Sequence, residues 1–124
     1  MRLLRSLLFV PGNRGDMLHK ASSSAADALI PDLEDSVPLT EKMKGRDVVR
    51  EAVPSLTRSG HVVIPRVNAL STGLVSDDLE AVVDLDISGV WVSKLESAWE
   101  LQEISRILSV LEERVGMPVG HTRI

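Results

Sequence analysis

Cysteine is absent from this chain, which excludes a disulfide framework, a thiolate metal site and a cysteine nucleophile. Aromatic residues are almost absent too. Phe9, Trp91 and Trp99 are the whole set, too few to build a platform for stacked bases. Basic excess is also lacking: 14 Lys and Arg face 18 Asp and Glu, for a formal charge of −4, and no run of one sign forms a stripe. Nucleic acid is therefore not an expected partner. Apolar runs stop at strand length, far short of the ~20 residues that a membrane-spanning helix needs, so no membrane partner is expected. Residues 1–10 have the outline of a signal peptide, but Arg5 interrupts the apolar stretch and no small-residue cleavage site follows. That segment reads as a buried strand, and a chain without cysteine or secretory features is expected in the cytoplasm.

Apolar residues make up 44% and charged residues 26% of the 124 positions, the balance of a globular chain with a core. Strand candidates fall at 6–10, 28–33, 62–67 and 90–95. They are nearly continuous apolar runs rather than alternating ones, the pattern of parallel strands covered on both faces. Helical segments separate them. Asn13 is placed to cap the first, with Met17, Leu18 and Ala21 on its inner face. Thr40 opens the second, where Val48, Val49, Ala52 and Val53 are apolar. Ser76 opens the third, with Asp77 and Asp78 near the positive end of the helix dipole. In the fourth, Ser97 and Glu100 form a capping box, Leu101, Ile104, Leu108, Leu111 and Val115 recur at helical spacing, and Gly116 and Pro118 stop it. The order is β-α repeated four times, and residues 117–124 read as a loop entering a fifth strand. The expectation is a single partial domain over 1–124, because four such units are half of an eight-unit barrel of about 250 residues.

In parallel α/β folds the site forms at the carboxyl ends of the strands. After the first strand comes Phe9-Val10-Pro11-Gly12-Asn13-Arg14. The second gives Asp32-Leu33-Glu34-Asp35-Ser36, the third Arg66-Val67-Asn68 and the fourth Lys94-Leu95-Glu96-Ser97. Charge at strand ends is expensive unless paired or used, so its recurrence at four ends points to one mouth. Each part also has a plainer reading. Arg14 suits a solvated surface, the acids could pair with Lys42 or Lys44, Arg66 could be their structural partner, and Lys94 and Glu96 could be a rim pair. His19, His61 and His121 lack metal-ligand spacing and read as structural, and the two Trp as packing helix against sheet. A receiver domain of two-component signalling has this length but needs its acids after strand one, so that reading fails.

The four motifs together resemble the citrate lyase β-subunit family, which includes malyl-CoA lyases within the HpcH/HpaI aldolase group. The resemblance runs in order through nearly the whole chain. It implies the N-terminal half of a (β/α)8 TIM barrel: four βα units plus the start of strand five. It further implies a Mg2+-dependent carbon–carbon lyase that cleaves a 3-hydroxyacyl-CoA such as citryl-CoA or malyl-CoA to acetyl-CoA and a 2-oxo acid. Carried over by position, Arg66 would bind the carboxylate of the oxo acid, and Phe9, Arg14 and Lys20 would contact CoA. Glu34 and Asp35 would face the water shell of the metal, and Lys94 would tie the acidic cluster together. None of these ligates the metal directly. The ligands would be a Glu ending strand five and an Asp ending strand six, both beyond Ile124. The complete protein would be a homo-oligomer, a trimer or hexamer. The alternative is a truncated, inactive CoA- or oxo-acid-binding module that needs a partner. Pro31 departs from the family in strand two, where it costs a ladder hydrogen bond if that strand is central, and Ser93 replaces a common Pro.

Overall fold

The structure, a computed structural model, describes residues 3–124, so the first two residues of the 1–10 segment lie outside it. In chain order it contains β1 (Leu7–Pro11), α1 (Gly15–Ala21), β2 (Ala28–Asp32), α2 (Lys42–Arg58), β3 (Val62–Val63), β4 (Arg66–Val67), α3 (Val75–Val82), β5 (Trp91–Val92) and α4 (Ala98–Arg114). Every strand pairing is parallel: β1 on β2, β2 on both β3 and β4, and β4 on β5. A parallel bridge between Gly89 and Arg123 adds one position beyond β5. With β3 and β4 lying in turn along β2 as two pieces of one strand, each strand lies beside its neighbour in sequence, and each helix packs against the next one. Crossovers of one hand that advance in one direction put all four helices on one face of the sheet. The fold class is α/β, as expected. Among the described residues no helix is long and apolar enough to cross a membrane.

The core lies between that face and the helices. Leu29, Val63 and Val67 from the sheet meet Leu18, Val49, Val53, Leu56, Leu79, Ile104 and Leu108, all buried. The other face carries no helix, and its Leu7, Phe9 and Trp91 stay about two-fifths exposed. Register explains who shares it. Pro11 stands opposite Asp32, Asp32 opposite Arg66 and Arg66 opposite Trp91, and side chains alternate along a strand. Phe9, Asp32, Arg66 and Trp91 therefore project from the helix-free side.

Several local expectations change. The third strand, expected as 62–67, is split into β3 and β4. Ile64 N–H donates to Leu29 O and Leu33 N–H to Arg66 O. The bond between them would need an N–H on Pro31, which has none. The cost foreseen at Pro31 thus appears as the break. The fourth strand is short because Lys94 takes a left-handed conformation, φ 56°, which an extended strand cannot include. Asn13 does not cap α1; its side chain donates to Glu41 Oε2 at 2.9 Å, and Arg14 occupies the cap position without a side-chain bond. Thr40 lies in a 3-10 turn, Leu39–Glu41, that precedes α2, and α3 begins at Val75 rather than after Ser76. Met17 and Leu101 are exposed, each beside the buried stripe of its helix rather than on it, and Val115 lies exposed just past the end of α4. The Ser97–Glu100 capping box is present as expected. Neither Trp packs helix against sheet. Trp99 is exposed, and Trp91 sits on the opposite face because Arg66 is its register partner.

Gly12 closes the turn after β1. Its N–H donates to Asp32 O at 2.8 Å, and a Cβ there would stand 2.5 Å from that oxygen. Only glycine permits the β1 turn to lie this close to the end of β2.

Candidate functional site

Three strand ends, those of β2, β4 and β5, build one charged cluster. The centre is Asp32, whose side chain is 2% exposed. Arg66 meets it side-on, with Nε 2.7 Å from Oδ1 and Nη2 2.8 Å from Oδ2. The backbone N–H groups of Glu34 (2.9 Å) and Ser36 (3.0 Å) and the Ser36 hydroxyl donate to the same carboxylate. Burial alone would push the Asp32 carboxyl up. The Arg66 guanidinium, the Ser36 hydroxyl and the two backbone donors outweigh that and hold it at about 2. On its other side the Arg66 guanidinium carbon lies 4.8 Å from the Phe9 ring centre, a cation–π contact, and Trp91 meets Phe9 edge-on at 5.4 Å.

Next to this pair the loop after β2 turns Glu34 and Asp35 toward Lys94, whose Nζ is 3.2 Å from Glu34 Oε1 and 3.1 Å from Asp35 Oδ1. Its hydrogen bonds to Asp35 and then Glu34 raise the Lys94 ammonium. The Asp35 carboxyl lies below its ordinary value, with the Lys94 ammonium 3.1 Å away. Glu34 is buried, and its Oε2 has no partner among the described residues. Glu34 also lines a hollow of about 300 Å³ together with Lys42, Asn68, Thr72 and Lys94.

The loop is held from beneath by groups the sequence did not single out as functional. Lys42 Nζ donates to the carbonyls of Leu33 and Glu34, both at 2.7 Å, and burial lowers its ammonium. Asn68 Nδ2 donates to Leu33 O at 2.9 Å. Asn68 is itself fixed by Asp78, whose Oδ2 accepts its N–H and its Nδ2 at 2.8 and 2.6 Å, while Arg46 Nε reaches Asp78 Oδ1 at 2.8 Å. Asp78 is fully buried, not a surface acid of the first helical turn. Nothing local marks it, since Arg46 lies 32 residues away.

Arg66, Glu34, Asp35, Lys94 and Phe9 are thus brought together. Arg14 and Lys20 are not part of the cluster: Arg14 pairs with Asp16 at 2.9 Å in solvent, and Lys20 is exposed in the last turn of α1. Glu96 donates its N–H to Glu100 and forms no rim pair with Lys94 among the described residues. His61 is structural, as read, held by Ser59 Oγ and Ser24 O. Among the described residues no three His, Asp or Glu side chains converge on a metal position.

The Asp32 environment makes one pH-dependent expectation. A carboxyl lowered from the ordinary 3.8 to about 2 stabilises the fold fully above pH 4, and that contribution is lost as pH falls toward 2. Thermal melts from pH 5 to 2 are expected to fall most steeply in that window. Asp32→Asn should be less stable at pH 5 and flatter below; a variant curve parallel to the native one would refute the assignment.

A model of the HpcH/HpaI aldolase/citrate lyase family matches residues 5–124. The chain belongs to that family. Among its curated members the chain is similar to a citrate lyase subunit beta-like protein of Deinococcus radiodurans, 41% identical over 94% of this chain and 42% of the relative. It is also similar to citrate lyase subunit beta of Leuconostoc mesenteroides, 34% identical over 99% of this chain and 41% of the relative. Among solved structures, the CitE protein of Mycobacterium tuberculosis in complex with magnesium and acetoacetate is 33% identical with a TM-score of 0.68, over 83% of this chain and 42% of that one. A malate synthase of Haloferax volcanii superposes with a TM-score of 0.87 at 15% identity, over 98% of this chain and 41% of that one, a likeness of fold. The chain spans about two-fifths of the length of these relatives.

Proposed function

We propose that residues 1–124 form the amino-terminal half of a (β/α)8 barrel in a Mg2+-dependent carbon–carbon lyase. Its substrate would be a 3-hydroxyacyl-CoA of the citryl-CoA or malyl-CoA kind, cleaved to acetyl-CoA and a 2-oxo acid. The observation that carries this is the convergence of Asp32–Arg66 and Glu34–Asp35–Lys94 at the carboxyl ends of three parallel strands. The sequential parallel order, with all helices on one face, supports a barrel wall. The magnesium in the M. tuberculosis relative supports the metal.

Mg2+ takes oxygen ligands in octahedral geometry and keeps several waters. Both oxygens of Asp32 are already committed to donors, so Asp32 does not fit as a ligand. The unpartnered Glu34 Oε2 and the Asp35 carboxylate fit as acceptors for metal-bound waters. The direct ligands would come from beyond Ile124. When bound, the ion would supply Lewis-acid polarisation of the oxo-acid oxygens. Arg66 would hold the carboxylate of the oxo acid, Lys94 would keep Glu34 and Asp35 aligned, and Phe9, Arg14 and Lys20 would lie along the CoA. The complete protein would be a trimer or hexamer in the cytoplasm.

A second reading, an inactive binding module needing a partner, is favoured only by an uncovered hollow of about 1160 Å³ around β5, lined by Val62, Ile64 and Trp91 of the sheet and by Thr57 and Leu101 of the helices. One assay separates the two. The full-length protein is expected to cleave citryl-CoA or malyl-CoA with complete loss of rate in EDTA. Residues 1–124 alone should neither cleave them nor bind Mg2+ tightly by calorimetry. A full-length protein inert toward both substrates would sink the lyase reading, and EDTA-sensitive cleavage by the isolated residues would sink the half-site.

A further inference from the structure

We propose that Asp32 is a positioning residue that turns Arg66 so that its Nη1/Nη2 edge, and no other, receives a carboxylate. The inference rests on the lyase reading above and specifies how Arg66 would serve it. A guanidinium carries five N–H donors in one plane and two edges able to bind a carboxylate bidentately. Asp32 fills the Nε/Nη2 edge with both its oxygens, at 2.7 and 2.8 Å. Phe9 covers one face of the guanidinium and is itself buttressed by Trp91. Among the described residues Nη1 has no hydrogen-bond partner, and the Arg66 side chain keeps 21% exposure. The end-on edge is thus the open one.

Asp32 is itself buried and fully engaged. It sits in β2 with a side chain 2% exposed, and the Glu34 and Ser36 donors lock both of its oxygens. The same carboxylate therefore sets the direction of Arg66 and the path of the loop that presents Glu34 and Asp35. A 2-oxo acid bound end-on at Arg66 would then lie in fixed relation to those two acids. Asp32 would touch neither substrate nor metal. Its effect would pass through Arg66.

The test uses the full-length, Mg2+-loaded protein, with glyoxylate and oxaloacetate each titrated by calorimetry and melting followed in parallel. Asp32→Asn is expected to weaken the better-bound acid about tenfold, the loss of one oriented charge-assisted contact. Asp32→Glu keeps the charge but displaces both oxygens by a methylene, and is expected to weaken binding similarly with a smaller change in melting. In an Arg66→Lys background, Asp32→Asn should add almost nothing, because no directed edge is left to orient. A residue that only stabilised the fold would lower the amount of active protein and leave the dissociation constant unchanged. Native affinity in both Asp32 variants, or losses that add in the double variant, would overturn the assignment while leaving the lyase reading intact. A wild-type protein that binds neither acid overturns both.

Discussion

Arg66→Lys is expected to lower kcat/KM for acyl-CoA cleavage about 100-fold in the complete protein. The reason is geometric. In the structure one planar group spans Asp32 on one edge and an open position on the other, with Phe9 against its face. Lysine keeps the positive charge but offers a single compact ammonium. It cannot hold Asp32 through two parallel bonds and grip a substrate carboxylate in the same way. Charge-assisted hydrogen bonds contribute about 1.5–3 kcal/mol each, and about 1.4 kcal/mol corresponds to a tenfold change in rate. Loss of one bidentate contact is therefore worth about 3 kcal/mol. Steady-state assays at saturating Mg2+ measure it directly, and an unchanged kcat/KM would remove Arg66 from the site.

The second large effect is on stability. Asp78→Ala is expected to destabilise the protein by about 3–5 kcal/mol, the usual cost of removing one partner from a buried charge pair. Asp78 is fully buried, and its two oxygens satisfy Arg46, the Asn68 N–H and the Asn68 side chain. Without it, a mostly buried guanidinium loses its close counterion, and one of its nitrogens, Nη2, already lacks a partner among the described residues. Asn68 would also lose the group that aims it at Leu33 O, so the loop carrying Glu34 would loosen. Asp77, the neighbouring acid, is 68% exposed and 3.8 Å from Arg46. Asp77→Ala should shift the melting temperature by no more than about 2 °C, as exposed ion pairs contribute little. Equal melting temperatures for the two variants would contradict this account of the buried network.

These two residues also mark what could be read in the chain. Arg66 was legible because it follows an apolar run in a β-α series, and parallel strands present their carboxyl ends together. The same logic found Glu34, Asp35 and Lys94, which the structure joins. Asp78 was legible only as a favourable acid near a helix start. Nothing local distinguishes it from Asp77, yet one is buried and the other solvated. Helix rotation against the sheet decides that difference, and rotation is a property of packing.

The order of the elements, the parallel sheet, the Ser97–Glu100 cap and the charged strand ends were determined by sequence alone. Each depends on periodicity or on residues within one turn or one strand of each other. Pro31 belongs with them: a missing N–H breaks a ladder wherever the strand pairs. Only the tertiary structure decided that Asn13 spends its amide on Glu41 rather than on its own helix. It likewise decided that Trp91 faces away from the helices, and that Asp32 rather than Glu34 or Asp35 takes Arg66. Those choices link positions 28 and 34 residues apart, or follow from strand register. Spacing along the chain carries no information about them, because contacts at that range exist only after the sheet has set its register.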